Sequence, residues 1–275
     1  MPSLKHPALT SGLRGIAAME IRVEGPSRDL HSGAYGGSVN NPALALAEML
    51  AQVRDKDGKI RIPGFYADVL ELSKAERRLL KKQPFNRKDY IEFLGVEDLR
   101  GEKGYSPVEQ RSIRPTFEIN GLTSGYQGQG SKTIIPAWAS AKITMRLVPN
   151  QTPDKIITAA SKFFRKIRPP SVRLKIEPGH GGEPYFVPPE GKLAKAAFGA
   201  LKAAFGCEPI AIREGGSIPI VNDFKMILGS DTLMLGLALP DNNLHSPNEK
   251  FSLDAFEKGM RMSAELWPRL ADAAR

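Results

Sequence analysis

Residues 141–147 read Ala141-Lys142-Ile143-Thr144-Met145-Arg146-Leu147, with apolar and polar side chains in strict alternation. A period of two places Ala141, Ile143, Met145 and Leu147 on one face of a β-strand and Lys142, Thr144 and Arg146 on the other. Upstream, Met19, Ile21 and Val23 alternate in the same way with Glu20, Arg22 and Glu24 until Gly25 and Pro26 end the run. Downstream, Val172, Leu174 and Ile176 repeat it, and Thr116 to Asn120 reads as a further strand. Two helical patterns lie between these strands. Asn41 is placed to cap a helix with Pro42 in its first turn, and Leu46, Met49, Leu50 and Val53 share one face, so a helix is predicted over about residues 42–53. Thr152-Pro153-Asp154 opens a second helix carrying Ile156, Ile157, Ala160 and Phe164.

Residues 55–112 are charged and less regular, with a helix expected from Ser73 to Lys82 and a Gly-punctuated stretch after it. They read as an insertion. With them set aside, the order strand, helix, strand, strand, helix, strand matches a ferredoxin-like βαββαβ layout. From Pro188 the pattern changes to a helix near 191–205, a strand near 209–213, a helix after Ser217, an apolar strand near 232–238 and a last helix near 252–270. Alternating helices and strands predict a layered α/β sheet, so the fold class is α/β throughout.

A chain of 275 residues is long enough for two compact units, and 41% hydrophobic with 25% charged residues is an ordinary globular composition. The net charge of +9 raises nucleic acid as a partner. Its distribution argues otherwise: groups such as Lys74 to Lys82, or Lys162, Arg165 and Lys166, fit the polar sides of amphipathic helices. The strand at 141–148 also lacks the aromatic residues of an RNA-binding sheet. No run approaches the roughly 20 apolar residues that span a bilayer, and Met1 to Gly15 holds no signal-peptide core. Cys207 is the single cysteine, so neither an internal disulfide nor a thiolate metal cage is available. A cytoplasmic, reducing location follows as the expectation, with no membrane or nucleic-acid partner.

Four segments carry candidate chemistry: Asp29-Leu30-His31-Ser32-Gly33, Gly130-Ser131-Lys132-Thr133-Ile134-Ile135-Pro136, Arg213-Glu214-Gly215-Gly216-Ser217-Ile218-Pro219 and Asn243-Leu244-His245-Ser246-Pro247-Asn248-Glu249. Each alone has a plain structural account. His31 can support a turn, and Thr133 can be an ordinary strand residue. Gly215-Gly216-Ser217 lies between a strand and a predicted helix, where backbone N–H groups suit an anion such as a carboxylate; a tight turn with Ser217 as N-cap explains the same residues. Arg146, opposite the apolar face of its strand, can clamp a carboxylate or be a surface arginine. His245 follows an apolar strand, at the carboxyl-end position where ligands gather if that strand is parallel to its neighbours. An imidazole there can hold zinc, although a catalytic zinc normally takes three protein ligands.

Together, in this order and spacing, the four segments resemble the two-zinc metallopeptidases that include carnosinase, cytosolic nonspecific dipeptidase, glutamate carboxypeptidase, aminoacylase and succinyl-diaminopimelate desuccinylase. The dipeptidase branch is nearest, and the resemblance extends over the insertion around Ile62-Pro63-Gly64-Phe65-Tyr66. It implies a dimerisation lid at 14–180, with the insertion at about 55–112, and the C-terminal part of a three-layer α/β zinc-peptidase domain at 181–275, residues 1–13 being the end of an earlier catalytic segment. It further implies a homodimer hydrolysing dipeptides or N-acyl amino acids. His31 resembles the lid histidine that polarises the scissile carbonyl in the partner's site. Thr133 and Arg146 resemble lid contacts to substrate, with Arg146 on the terminal carboxylate. Gly216 and Ser217 resemble substrate-binding residues of the catalytic domain, and His245 a ligand of one zinc of the pair. Family members also carry a His-x-Asp pair, a Glu-Glu pair and a further Asp in a preceding segment, and Met1 to Ser11 resembles the stretch just after that Asp. These 275 residues are therefore expected to be inactive alone, as an enzyme fragment or, alternatively, as a non-catalytic dimerisation module.

Overall fold

The computed structural model describes residues 1–274. Strand β1, Ala8–Leu13, is followed after one residue by β2, Gly15–Glu24, and then by the short β3, Leu30–His31, and a single helical turn α1, Ser32–Tyr35. Helix α2, Pro42–Ala51, leads into a segment containing α3, Lys74–Leu80, α4, Arg87–Leu94, and α5, Pro107–Ser112. The chain continues through β4, Thr116–Ser124, β5, Ile134–Ile135, β6, Trp138–Leu147, α6, Pro153–Ile167, and β7, Arg173–Gly182. It ends with β8, Tyr185–Phe186, α7, Gly191–Phe205, β9, Ile210–Glu214, α8, Ile220–Leu228, and α9, Leu253–Ala274. No helix among the described residues is long and apolar enough to cross a membrane.

The larger sheet is antiparallel in the order β4-β6-β2-β7, which with α2 and α6 gives the ferredoxin-like layout. Its period-two patterning decides which side is covered. Ala17, Met19, Ile21 and Val23 of β2 and Ala141, Ile143, Met145 and Leu147 of β6 face α2 and α6, where Leu46, Met49, Ile156, Ala160 and Phe164 complete the core. Asn41 caps α2 through its side chain, accepting from the Ala43 N–H. On the opposite side, Arg22 stacks on the Trp138 ring at 3.9 Å from its centroid, and Glu24 pairs with Arg22, Arg173 and Lys175.

Edge strand β4 contains a bulge. Ile119 pairs with Ile143 but Gly121 with Lys142, so Asn120 is the extra residue. The insertion returns Leu122, opposite Ala141, to the face shared by Phe117 and Ile119. Phe117 is buried there, but Ile119 is 44% exposed and Leu122 61% exposed.

The segment between α2 and β4 is tied to both sheets. Ile60, Ile62 and Phe65 enter the ferredoxin-like core, and the Gln151 side chain donates to the Phe65 carbonyl at 2.6 Å. Arg114 makes a bidentate pair with Glu102 at 2.9 and 2.7 Å and lies over the rings of Tyr66 and Tyr105. From α3, Glu76 accepts from Arg213 of β9 at 2.9 Å, and Arg213 also covers the Phe186 ring.

The smaller sheet has the order β8-β1-β9, with β1 parallel to β9 and antiparallel to β8. Helix α7 packs through Ala194, Ala197, Ala200 and Leu201 against Leu9 and against Met262 of α9. The expected strand at 232–238 is reduced to one antiparallel bridge between Thr10 and Met234. Its alternation has a different cause: Leu233, Leu235 and Leu237 pack on the α7 and α9 core, while Met234 turns to Leu13, Tyr185 and Val221. An extended chain with two buried sides shows a strand's periodicity without a strand's ladder.

Candidate substrate site between the two sheets

Arg146 lies near the end of β6, paired with Ile16 and Thr116, on the side away from the helical core. Its Nη1 donates to the Ser217 hydroxyl at 2.8 Å, so a side chain of the larger sheet meets the loop that follows β9. The Ser217 hydroxyl in turn donates to the Arg14 carbonyl at 2.5 Å. Arg14 is the one residue between β1 and β2, and its guanidinium also serves this loop: Nε donates to the Gly215 carbonyl at 3.1 Å and Nη1 to the Arg114 carbonyl at 3.3 Å. Gly215 is confined sterically. A Cβ there would stand 2.4 Å from the Arg111 carbonyl oxygen and 2.9 Å from Arg14 Nη2. A Cβ on Gly216 would meet open space.

Burial, followed by the neighbouring charge of Arg146, pulls the Arg14 guanidinium down to about 10. Glu118 offsets part of this effect and Arg111 adds to it. Two guanidinium groups in mutual range form a cationic corner, and Arg146 retains donors beyond the one given to Ser217. That corner suits a carboxylate. The backbone arrangement differs from the expected anion site at a helix start. Helix α8 begins only at Ile220 with Pro219 in the cap position, and Ser217 is not its N-cap because its hydroxyl is committed to Arg14. Side chains, rather than a helix dipole, make the corner positive.

His31 and Thr133 come together on a separate two-stranded ribbon. β3 pairs with β5 so that His31 faces Ile134, and the Ser32 N–H donates to the Thr133 carbonyl at 3.0 Å. Asp29 fixes the ribbon's base by accepting from the Ala137 N–H at 2.8 Å. His31 is exposed, and its Nδ1 accepts from the Gly33 and Ala34 N–H groups at 3.1 and 3.2 Å, capping α1. With Nδ1 acting as acceptor, the neutral ring carries its proton on Nε2 and presents that donor outward. Turn support and an available N–H thus coexist in one side chain.

His245 stands elsewhere, exposed in a loop where its own φ is 66° and that of Asn243 is 53°. Its backbone N–H donates to Glu249 Oε2 at 3.4 Å. The segment before it meets β1 through an antiparallel bridge, so the parallel arrangement considered from the sequence does not occur there. Among the described residues no three His, Cys, Asp or Glu side chains are grouped to hold a metal ion.

Arg14 is the residue that motif reading passes over. The available signal was its isolation: it is the single charged residue between Pro7 and Met19. Its partners Gly215 and Ser217 lie some two hundred positions along the chain, beyond the reach of any local pattern.

The peptidase dimerisation domain model of the M20 family matches residues 11–172. The chain is 32% identical over 262 residues to the Cys-Gly metallodipeptidase of Schizosaccharomyces pombe, covering 94% of this chain and 55% of that protein. Its structure is similar to that of the dipeptidase Dug1p from Saccharomyces cerevisiae, with a TM-score of 0.84 at 32% identity, covering 98% of this chain and 57% of the other. Human carnosine dipeptidase 1 gives a TM-score of 0.83 at 26% identity, covering 99% and 58%. The chain spans about half the length of the curated relatives it matches. With this domain model matched over more than half of the chain, the chain belongs to the M20 metallopeptidase family.

Proposed function

We propose that this chain carries the lid and the substrate-side groups of a dimeric metallodipeptidase. Residues 14–180 form the lid, and residues 1–13 with 181–275 belong to the catalytic domain. The observation that carries this reading is the 2.8 Å hydrogen bond from Arg146 to Ser217, because it joins a lid strand to a catalytic-domain loop beside open space at Gly216. A dipeptide or N-acyl amino acid ends in a carboxylate, the group a guanidinium holds in bidentate fashion. Cys-Gly and β-Ala-His, named for the relatives, are the substrates to test first.

In a homodimer, His31 reaches the partner's site and donates its Nε2–H to the scissile carbonyl oxygen as negative charge develops there. Thr133, held beside it on the ribbon, contacts the same substrate. A zinc pair would supply the activated water, and of the described residues His245 would hold one ion. The described residues do not by themselves fit such a centre, since no three ligand side chains converge, and a catalytic zinc requires about that many. The isolated 275 residues are accordingly inactive, and their action depends on ligands supplied by a further segment. A reducing cytoplasm suits the single free Cys207.

The same lack of convergent ligands favours a second reading, a dimerisation module without chemistry. Inactivity of the pure chain is expected on both readings, and complementation separates them. The pure chain with added zinc should hydrolyse neither dipeptide above background, and metal-dependent turnover abolished by His245→Ala would overturn that expectation. Co-expression with a segment carrying the remaining ligands from a Cys-Gly metallodipeptidase should restore hydrolysis; a verified complex that stays inactive favours the module.

A further inference from the structure

Arg14 touches no part of the reaction in the reading above, yet the candidate site converges on it. A serine hydroxyl has one hydrogen, and Ser217 gives it to the Arg14 carbonyl. Only lone pairs then remain to face Arg146, whose guanidinium has donors alone. The orientation of Ser217, and through it of Arg146, is therefore set by the Arg14 backbone. The Arg14 side chain holds the other end of the same loop at the Gly215 carbonyl, and it reaches the Arg114 carbonyl with the opposite arm of its fork. Arg114 is itself immobilised by its bidentate pair with Glu102 and by two aromatic rings.

We propose that Arg14 is a positioning residue, which uses its carbonyl and both arms of its guanidinium to hold Ser217 and Arg146 in register as one carboxylate clamp. The carboxylate part rests on the function proposed above; the positioning part does not. Placing a buried cation beside a second one is unfavourable, as the lowered Arg14 shows, and a ligand carboxylate at Arg146 relieves it. The segment between α2 and β4 gains a role by the same contacts, because Arg114 and the Arg111 carbonyl form one wall of the loop at Gly215.

The test is Arg14→Lys in the full chain, since an ammonium keeps the charge but cannot span both carbonyls. Amide hydrogen exchange at Val221 and Asn222, whose N–H groups bond back to the Ile218 and Pro219 carbonyls of this loop, should speed up by about 10-fold, the scale of one lost charge-assisted hydrogen bond. In ¹⁵N-arginine spectra the Arg146 guanidinium should lose its restricted rotation, while exchange in β2 and β6 stays as before. Ser217→Ala should release Arg146 in the same way, which guards against a misfolded Arg14 variant. Uniform loosening of the chain, or unchanged Arg146 signals in both variants, would overturn the proposal. Titration with N-acetylglycine then adds the ligand: affinity should fall about 10-fold in Arg14→Lys and the difference should vanish in an Arg146→Ala background. If the wild-type chain ignores N-acetylglycine while the exchange and rotation effects hold, the positioning role stands and the carboxylate reading falls.

Discussion

Arg146 and Ser217 belong to strand and loop segments 71 residues apart, and their side chains meet at 2.8 Å where the two sheets approach each other. Neither residue is a good ligand site alone. Paired, they fix the direction from which a terminal carboxylate reaches the guanidinium, and this relationship decides what each variant should do.

In the complemented enzyme, Arg146→Ala should raise KM by about 10-fold or more with a smaller change in kcat, because the contact is made to a substrate group that does not change charge during reaction. Arg146→Lys should recover part of this loss but not all, since an ammonium cannot form the bidentate pair. Steady-state kinetics with a dipeptide and with its C-terminal amide checks the assignment: the amide should show little difference between wild type and variant.

His31→Ala should act on kcat, by about 10²-fold, as removal of an oxyanion donor does. A mixed dimer tests which subunit the imidazole serves. If one subunit lacks His31 and the other a metal ligand, one of the two sites still combines an intact metal set with the partner's intact histidine, so activity absent from both parents should return. No recovery in a verified heterodimer would leave His31 as the cap of a single helical turn.

Self-association should follow from the edge of the larger sheet. The bulge at Asn120 keeps Leu122 on the helix-covered face where no helix reaches it, and Ile119 beside it is also exposed. A second copy placed along β4 would extend this core and pair the edge beyond Phe117, whose carbonyl already accepts from Arg54. Sedimentation at micromolar concentrations should show a dimer, and Leu122→Lys should weaken it by about 10-fold or more through the loss of an apolar contact and the addition of a charge. A dimer unaffected by that change would place the interface elsewhere.

Glu76 gives a dependence on pH. Burial works to raise its carboxyl, but hydrogen bonds from Ser73 and the charge and hydrogen bond of Arg213 outweigh it and hold the group below its ordinary value of 4.5. A depressed folded-state value means that the contribution to stability is present above 4.5 and is lost as the pH falls through the folded value. Unfolding midpoints measured on acidification should therefore decline less steeply in Glu76→Gln than in wild type. Parallel curves would remove the pair with Arg213 as an acid-sensitive link.

Most of the larger sheet could be read directly from the chain because its strands bury one face: β2 and β6 alternate cleanly, and α6 shows Ile156, Ile157, Ala160 and Phe164 on one side. The ribbon of β3 and β5 left no such trace, since two residues per strand are too few to show a period. The stretch 232–238 misled for the opposite reason, having a period but only one ladder partner. Among the candidate residues, His31, Thr133, Gly216, Ser217 and His245 stood out through their motifs, and Arg146 through its place on the polar face of its strand. Which of them meet did not. The contact between Arg146 and Ser217 and the place of Arg14 depend on how the two sheets are joined, and no local sequence pattern encodes that.

The joint between the sheets has a mechanical consequence. The chain crosses from the smaller to the larger sheet at Arg14 and returns through Glu183 and Pro184, and these crossings are neighbours: β2 lies beside β7 with Ile16 opposite Gly182, and β1 beside β8 with Leu13 opposite Tyr185. They are so close that a Cβ on Gly15 would stand 2.6 Å from the Gly182 carbonyl oxygen. Two adjacent tethers act as the paired leaves of a door hinge. They resist sliding or twisting off the line through both crossings, and the Glu76–Arg213 pair from the segment between α2 and β4 opposes rotation about it. The ribbon carrying His31 follows the far end of β2, whereas Ser217 sits against the crossing at Arg14, so loss of that pair would let rotation about the line displace the histidine more than the carboxylate clamp.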